Sequence, residues 1–383
     1  MRTKATARLP WPLVGAAAVL VGLGCLGIAR CEELGAGTGR YLRQQIVWAA
    51  LAALVGGIAA APSYRKLGRW SFALYWFAVA LLVLVYFFPP INGARRWLRI
   101  GSLSFQPSEL AKVACVLATA RWLMDRPLWA GPGVLIRSLG LIGLPVVLIL
   151  REPDLGTAMV FVPVAFAMLV AAGLTRGQVV SLLLLGILAV PVLWIQMSLE
   201  QRSRVTSLFE QAGPGEVARG DSYQLRQAKQ VLALGGFWGS LLAGPAVEDP
   251  AAYHLPEARS DFIFCVVKER LGLPGVALVL GLFAVIVWQG FEIATATCEP
   301  FGRLAAVGLT SLVAVQVLIN TGMNVGLLPV TGLSLPLVSY GGSGLVSNGL
   351  LLGLLVNIGM RPGYEIAREP FHYRSSAARR SAT

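Results

Sequence analysis

A dense group of ionisable side chains lies in the stretch HLPEARSDFIF, residues 254–264. His254, Glu257, Arg259 and Asp261 fall within eight residues, and the chain becomes almost continuously apolar directly after Asp261. A carboxylate at that point could act as a general base, because partial removal from water raises the pKa of a carboxyl group toward neutrality. It could equally be the N-cap of a helix, since a short carboxylate accepts the unpaired amide protons of a first turn. The residues alone leave both interpretations of Asp261 open.

A second ionisable group precedes another apolar run, in GARRWLRIGSLSFQPSELAK, residues 93–112. Pro107 suits the first turn of a helix and Glu109 suits its positive end. Lys112 follows Glu109 by three residues and therefore lies on the same helix face. Charged groups are costly in lipid, so we expect the two to pair and to face the protein interior. The pair either orients the start of the helix or lines a substrate cavity.

Two further candidates lie near these stretches. Arg96 forms a basic cluster with Arg95 and Arg99 beside a tryptophan, which suits a membrane interface. In the stretch REPDLGTA, Asp154 and Thr157 have the N-cap and N3 spacing of a following helix. Capping alone is one explanation of this aspartate, and a place in a substrate site is the other.

A third candidate region is DSYQLRQAKQVLALGG, residues 221–236. Its basic residues, Arg226 and Lys229, are three positions apart. Its apolar residues recur at helical spacing: Leu225, Ala228, Val231 and Leu232. The pattern predicts an amphipathic helix that lies at the membrane interface or re-enters it. The alternatives for Lys229 are a basic residue of a packed surface helix and a ligand of a diphosphate group.

The elements that must position these groups are transmembrane helices. Of the 383 residues 56% are hydrophobic and only 13% are charged, with a mean hydropathy of +0.69. Soluble domains carry about 25% charged residues, so the composition indicates an all-α polytopic membrane protein. Ten apolar runs are long enough to span a bilayer: 12–29, 44–61, 71–88, 107–124, 134–150, 156–173, 179–197, 266–290, 303–325 and 338–360.

The distribution of Lys and Arg between the short loops predicts the orientation. The loops on the side of the two termini are richer in Lys and Arg than those opposite, so both termini should be cytoplasmic. The long segment of about residues 198–265 then faces outward, together with the candidate residues named above. The net charge of +13 mostly reflects this bias and does not indicate nucleic-acid binding. The basic tail can also contact anionic membrane lipids.

Metal and disulfide chemistry have little support in the sequence. The five cysteines include no CxxC pair, and the chain has only two histidines. This pattern argues against a disulfide framework and against a zinc site. The glycine-rich segment 320–349 contains Gly341, Gly342 and Gly344, which favour either close helix packing or a glycine-lined phosphate cradle.

Five motifs occur together and in a fixed order: GARRWLRIGSLSFQPSELAK, REPDLGTA, LPEARSDFIF followed by KERLG, NTGMNVGLLPVTGLSLPLVSYGGSG, and NIGMR. In this order the chain resembles the shape, elongation, division and sporulation (SEDS) family, the RodA/FtsW proteins. The resemblance extends from about residue 12 to 362. The motifs FQPSE and PVTG favour the elongation-type RodA proteins within the family.

The resemblance implies ten transmembrane helices, with a large extracytoplasmic loop between helices 7 and 8. It implies one transmembrane domain over residues 1–362, followed by a basic and disordered cytoplasmic tail at 363–383. The location would be the bacterial cytoplasmic (inner) membrane, with both termini inside and the active site on the extracytoplasmic side.

The resemblance also implies roles for single residues. Asp261 matches the essential catalytic aspartate of the family. Seven others match or flank the family motifs and would support catalysis or bind substrate: Glu109, Lys112, Arg96, Asp154, Lys229, Glu257 and Ser260. The chain departs from the family pattern at Ser260, where threonine is usual, at Arg259, where histidine is usual, and at Gly344, where serine is usual.

The activity implied is that of a peptidoglycan glycosyltransferase acting on lipid II, with a class B penicillin-binding protein, a transpeptidase, as partner. Asp261 would deprotonate the acceptor sugar in a single inverting displacement that releases undecaprenyl diphosphate. A divalent cation, Mg or Mn, is a candidate cofactor, and no organic cofactor is expected. Two other functions stay open: a lipid II flippase or transporter, and a non-catalytic scaffold of a cell-wall synthase complex.

Overall fold

The computed structural model of the chain describes residues 9–363, except 36–37, 91–93, 102, 127, 129–130, 207 and 209–219. The α-helices of this part are α1 (Trp11–Leu34), α2 (Arg40–Ala60), α3 (Tyr64–Leu84), α4 (Pro107–Leu123), α5 (Pro132–Arg151), α6 (Leu155–Ala171), α7 (Arg176–Gln196), α8 (Leu199–Thr206), α9 (Asp221–Leu234), α10 (Ser240–Ala243), α11 (Ile263–Ala296), α12 (Pro300–Val325) and α13 (Gly342–Met360). Two short antiparallel strands, β1 (Leu98–Ile100) and β2 (Leu103–Phe105), pair Leu98 with Phe105 and form a hairpin before α4.

The helices confirm a membrane protein with several spans. Within the described residues, seven helices are long and apolar enough to cross a bilayer: α1, α2, α3, α5, α11, α12 and α13. Each overlaps one of the predicted runs, but α3 begins seven residues earlier than predicted and α11 is longer at both ends. Hydropathy detects only the part of a helix that lies in hydrocarbon, whereas polar turns such as YRKLGRW continue α3 beyond it.

The centre of the bundle is α12, which has 72% of its most apolar window buried. It packs against α4, α6 and α11, while α13 packs along α2. Glycine permits the closest of these contacts, because a Cβ at Gly353 would overlap the carbonyl of Gly56 and one at Gly349 would overlap that of Ala52. A Cβ at Gly342 would meet the indole of Trp48, so this glycine serves close packing.

The helix α11 changes direction near its start. Gly272 has φ 69° and ψ −158°, which is outside the helical region, and Pro274 follows two residues later. The Leu273 amide, freed by this kink, donates a hydrogen bond of 2.8 Å to the carbonyl of Phe237 in the long loop. The kink therefore joins the membrane-spanning part of α11 to the loop that ends at Asp261.

The amphipathic helix predicted in the long loop is confirmed as α9, and it packs on protein, as the surface-helix alternative predicted. Leu225, Ala228 and Val231 are buried in a protein core that includes Phe262 and Met323. The apolar face of α9 is covered by α11 and α12 and does not face lipid. The sequence pattern could not distinguish these outcomes, because a protein core and a membrane interface select the same apolar spacing.

Candidate functional site

Asp261 lies in a tight turn that its neighbours close. Glu257 has φ 52°, an uncommon backbone conformation for a residue with a side chain. Its carbonyl accepts hydrogen bonds from the amides of Ser260, Asp261 and Phe262 at 3.1 to 3.3 Å. The Ser260 hydroxyl also donates to the Glu257 carboxylate at 2.9 Å. Glu257 and Ser260, both predicted as supporting residues, therefore shape the turn that presents Asp261.

The capping interpretation of Asp261 is wrong. Helix α11 begins at Ile263 and its N-cap position is Phe262. Asp261 therefore stands one position before the N-cap, and its own amide is hydrogen bonded within the turn. Its carboxylate instead faces Gly332, where an added Cβ would lie 3.6 Å from Oδ2.

Two asparagines on α12 hold the main chain of Asp261. The side-chain amides of Asn320 and Asn324 donate to the Asp261 carbonyl at 2.9 and 3.2 Å. Asn320 donates to the Leu333 carbonyl as well, at 2.7 Å, and the Cys265 thiol donates to Asn324 Oδ1 at 2.9 Å. Both asparagines are fully buried. The sequence analysis missed them, although two asparagines one helical turn apart within an apolar helix were a usable signal.

The connection between α12 and α13 holds the turn from its other side. The Tyr340 amide donates to the Arg259 carbonyl at 2.8 Å, and the Ser339 hydroxyl donates to the Ser260 carbonyl. Arg259, the departure from the family histidine, places its guanidinium 4.0 Å from the ring centre of Tyr41. Distant segments of the sequence thus meet at this turn.

The surroundings of Asp261 favour its neutral form more than water would. Burial and, after it, the negative charge of Glu257 raise the pKa of Asp261 to about 7, and the positive charge of Arg204 opposes the rise. A carboxyl group with a pKa of about 7 can both take up and release a proton near neutral pH. This is the property that a general base requires.

Arg204 is a second residue that the sequence analysis missed. It lies on α8, and its Nη1 donates to the Thr331 carbonyl at 3.4 Å. The same nitrogen lies 3.6 Å from the Cβ position of Gly332, which is also the distance of Asp261 Oδ2 from that position. A guanidinium and a carboxylate therefore face the same glycine. Because the residue lies in a polar stretch of a long loop, its spacing carried no signal.

Asp154 caps α6, as its spacing predicted. Oδ1 accepts from the Thr157 amide at 3.1 Å, and Oδ2 accepts from the Thr157 hydroxyl at 2.8 Å and from the Gln106 amide at 3.2 Å. The residue is buried, and its charge contributes to the raised pKa of Asp261. Asp154 therefore combines a structural role with an electrostatic influence on the site.

Arg96 supports the turn that carries Asp154. Its Nε donates to the Glu152 carbonyl at 2.9 Å, and Nη2 donates to the Pro153 carbonyl. Glu152 is fully buried, and among the described residues neither of its carboxyl oxygens has a hydrogen-bond partner. Burial, with a further contribution from the charge of Asp154, raises the pKa of Glu152 to about 8. Sequence analysis named Arg96 and overlooked Glu152, which lies beside it.

Glu109 and Lys112 form the predicted ion pair in the first turns of α4. Nζ of Lys112 lies 2.8 Å from Oε1 of Glu109, and both side chains are buried. The Ser347 hydroxyl of α13 donates to the Glu109 carbonyl at 2.8 Å. The Cβ position of Gly344 lies 3.9 Å from Glu109 Oε2 and 3.8 Å from Ser334 Oγ. The residue that departs from the family serine therefore borders this ion pair.

Lys229 lies against the end of α12. The C-cap of α12 is Gly326, with φ 80°, and an added Cβ there would be 2.6 Å from Lys229 Cε and 2.9 Å from Nζ. A positive charge at the carboxyl end of a helix is favourable. This position supports the packed-helix interpretation of Lys229.

The described residues do not form a metal site by themselves. They contain no group of three or more His, Cys, Asp or Glu side chains that could hold a metal ion. Both carboxylate oxygens of Asp154, one of the two acidic residues whose charges raise the pKa of Asp261, are hydrogen bonded.

Comparison with known proteins now adds to this geometry. The family model for FtsW, RodA and SpoVE, described as cell cycle proteins, matches residues 11–362. The chain belongs to this family. Peptidoglycan glycosyltransferase MrdB of Escherichia coli is 36% identical over 295 residues, covering 76% of this chain and 77% of MrdB. Stage V sporulation protein E of Bacillus subtilis is 32% identical over 324 residues, covering 83% and 86%.

The family fold is also found in a solved structure. A chain from a study of the structural coordination of polymerization and crosslinking by a peptidoglycan synthase complex superposes with a TM-score of 0.75. The identity is 31%, and the alignment covers 92% of this chain and 98% of the other. The arrangement of helices around the Asp261 turn thus belongs to a fold that family members share.

Proposed function

We propose that this protein is a peptidoglycan glycosyltransferase that polymerises lipid II into glycan strands for cell-wall elongation or division. The observation that carries the proposal is Asp261 itself. Its carboxyl group has a pKa of about 7 and is not used for helix capping, and buried asparagines from α12 hold its main-chain carbonyl. Family membership and the relatives named as glycosyltransferases support the same reaction.

The proposed reaction is one inverting displacement. The 4-hydroxyl of the acceptor sugar attacks the anomeric carbon of the donor glycan, while Asp261 accepts the hydroxyl proton. The bond between the anomeric carbon and the diphosphate oxygen breaks, and undecaprenyl diphosphate leaves with the electron pair. A diphosphate is already a stable anion, so a second carboxyl group is not needed to protonate it, in contrast to glycoside hydrolysis.

Arg204 is the cation of the described site that suits the diphosphate. Its guanidinium faces Gly332 beside the Asp261 carboxylate. A positive group aimed at the growing negative charge on the leaving group stabilises the transition state more than the ground state. We assign this role to Arg204. We assign a supporting role to Glu109 and Lys112, because Gly344, which lies next to Ser334 in the neighbouring segment, borders the Glu109 carboxylate.

The membrane arrangement that we propose has ten spans. Besides the seven long apolar helices, α6 and α7 contain shorter apolar stretches, and α4 carries the buried ion pair. Ten spans and the distribution of Lys and Arg favour cytoplasmic termini. The loop between α7 and α11, with Asp261 at its end, would then face outward. At that surface the sugar of the substrate lies in water, its diphosphate at the interface and its tail in lipid.

The partner that we propose is a class B penicillin-binding protein. The support is the structural likeness to a chain from a complex that coordinates polymerization with crosslinking. A polymerase that makes strands and a transpeptidase that links them act on successive products, so a stable complex would shorten the path between them.

The decisive experiment is polymerisation of lipid II by the purified protein with its transpeptidase. We expect Asp261→Asn and Asp261→Ala to lose about 10²- to 10⁴-fold in rate, the usual contribution of a general base. Asp249→Asn is a matched control, because Asp249 is exposed on the same loop and lies away from the turn. Its rate should stay within about threefold of wild type.

Two outcomes would contradict the proposal. Polymer formed by Asp261→Asn at the wild-type rate would remove the general base and favour a scaffold. Translocation of lipid II in vesicles without polymerisation by the wild-type protein would favour a flippase.

A further inference from the structure

The long loop contains an apolar surface that the proposed reaction does not use. No charged residue occurs between positions 231 and 247, although this stretch lies in a loop between predicted spans. Four large apolar side chains project from it, each more than half exposed: Phe237, Trp238, Leu241 and Leu242. We call residues 235–247 the apolar loop segment. In water such a cluster would be unfavourable, so its surroundings need an explanation.

The apolar loop segment is tightly fixed to α11. Added Cβ atoms at Gly235 and Gly239 would overlap the α11 backbone, and one at Gly272 would overlap the Phe237 carbonyl. The Leu273 amide donates to that carbonyl at 2.8 Å. The aromatic rings of Phe237 and Trp238 contact each other edge to face, with centres 4.8 Å apart. The exposed face is therefore a defined surface that the α11 kink holds in place.

The contact with α11 indicates the depth of the segment in the membrane. Lys268, Glu269 and Arg270 directly precede the kink, and no charged residue follows until Glu292. At 1.5 Å per residue, the uncharged stretch 271–291 is about 31 Å long, which matches a hydrocarbon core of about 30 Å. Gly272 and Leu273 therefore lie at the edge of the hydrocarbon, and the segment docked there lies at the same level.

The lipid-facing side of α11 continues into this segment. Leu273, Leu278 and Leu280 are exposed along the apolar stretch of α11 that is long enough to cross a bilayer. Aromatic side chains prefer the interface, while leucines prefer the acyl region below it. We propose that the apolar loop segment inserts Phe237, Trp238, Leu241 and Leu242 into the lipid leaflet on the Asp261 side. The membrane-contacting part of the loop is thus this segment and not α9.

This anchor has a consequence for the site. The segment is fixed to α11 just below the turn that presents Asp261, so its insertion sets the height of the carboxylate relative to the lipid surface. A lipid-linked substrate carries its diphosphate at that surface. Contact of the segment with lipid is measured directly in the experiment below. The result therefore does not depend on whether the protein polymerises lipid II.

The test is depth-dependent fluorescence quenching in vesicles of phosphatidylglycerol and phosphatidylethanolamine. Variants Leu242→Cys and Glu248→Cys carry a bimane label on the introduced cysteine; the accessible native cysteines Cys25, Cys31 and Cys298 are replaced by serine, and the buried Cys115 and Cys265 are kept. Glu248 is the matched control because it is the exposed charged residue directly after the segment. We expect doxyl groups near the lipid headgroup to quench the label at position 242 at least about threefold more than at 248. Aqueous iodide should show the reverse order.

Two results would overturn the proposal. Equal quenching of both labels by the doxyl lipids, with equal quenching by iodide, would show that the segment is in water. Absence of lipid quenching at position 242, combined with loss of iodide access only after a class B transpeptidase is added, would identify a protein-docking surface. Each labelled variant is shown to be folded by its polymerisation of lipid II. Where polymerisation is absent, a thermal unfolding midpoint equal to that of the wild type shows the same.

Discussion

Two aspartates stand just before apolar helices of this protein, and they serve different purposes. Asp154 directly precedes α6 and uses both carboxylate oxygens for hydrogen bonds within its own turn and to Gln106. Asp261 stands one residue farther from its helix, and its carboxylate faces Gly332 and Arg204. The turn at Glu257 places Asp261 one residue farther from its helix than Asp154. Asp154 is therefore a cap, whereas Asp261 is available as the proposed base. Proximity to a helix start therefore does not define a role by itself.

The position of Asp261 has an electrostatic consequence. Burial beside another carboxylate favours the neutral form of a carboxyl group. Burial and Glu257 raise the pKa of Asp261 to about 7. Three experiments test the distinction between the two aspartates, and the first has the largest expected effect.

The first is the pH dependence of lipid II polymerisation. Only the deprotonated form of Asp261 can accept a proton, so the rate should fall about tenfold per pH unit below 6.5 and level off above about 7.5. From pH 7.5 to 5 the loss should exceed 50-fold, or about 2.3 kcal/mol in activation free energy.

The effect of this group on stability has the opposite sign. A carboxyl group whose pKa is raised by folding stabilises the fold most at low pH, and this contribution is lost as pH rises through about 7. Loss of activity at pH 5 with an unchanged or higher thermal unfolding midpoint would fit the proposal. A rate that does not change between pH 5 and 7.5 would contradict it.

The second experiment tests the asparagines as positioning residues. Asn320→Asp keeps the size of the side chain but removes the donor to the carbonyls of Asp261 and Leu333. We expect kcat to fall about tenfold with little change in KM, because small misplacement of a catalytic group is costly. The apparent pKa of the pH–rate profile should also shift.

Gln316→Leu is the matched control on α12. Gln316 is buried one helical turn before Asn320, and its Oε1 has no hydrogen-bond partner among the described residues. Its substitution should leave kcat and the pH profile unchanged. A purely structural role of Asn320 would instead lower the unfolding temperature without altering the pH profile of the folded fraction.

The third experiment has the smallest expected effect and concerns Asp154. Asp154→Ala should lower the free energy of unfolding by about 1 kcal/mol, the usual value of an N-cap, with a further loss from the Gln106 and Thr157 side chains left unpaired. The pH–rate profile should move to lower pH, because one of the charges that raise the pKa of Asp261 is gone.

Thr157→Val is the control for the third experiment. It removes the hydroxyl that bonds to Asp154 but keeps the aspartate and its charge. Thermal unfolding should show a partial loss of stability, and the pH profile should not move. A loss of polymerisation in Asp154→Ala as large as that in Asp261→Asn would remove the distinction between the two aspartates.

Several elements could be predicted from the sequence because they depend on local chemistry. Pro107 and Glu109 begin α4, Lys112 pairs with Glu109, and Asp154 caps α6, as the spacing indicated. These contacts join residues within a few positions of each other. Asn320, Asn324 and Arg204 were missed because their importance depends on which distant carbonyl or carboxyl group they meet. Glu152 was missed because its burial arises only from packing.

The sequence by itself determined the class of the protein, its apolar helices, its local caps and its family. Long-range packing decided the rest. It placed the apolar face of α9 in a protein core and left Phe237 and Trp238 exposed. It also moved Asp261 out of the cap position and raised the pKa of its carboxyl group. The physical reason is that hydropathy and helix spacing are local properties, whereas burial and the electrostatic environment arise only when distant segments meet.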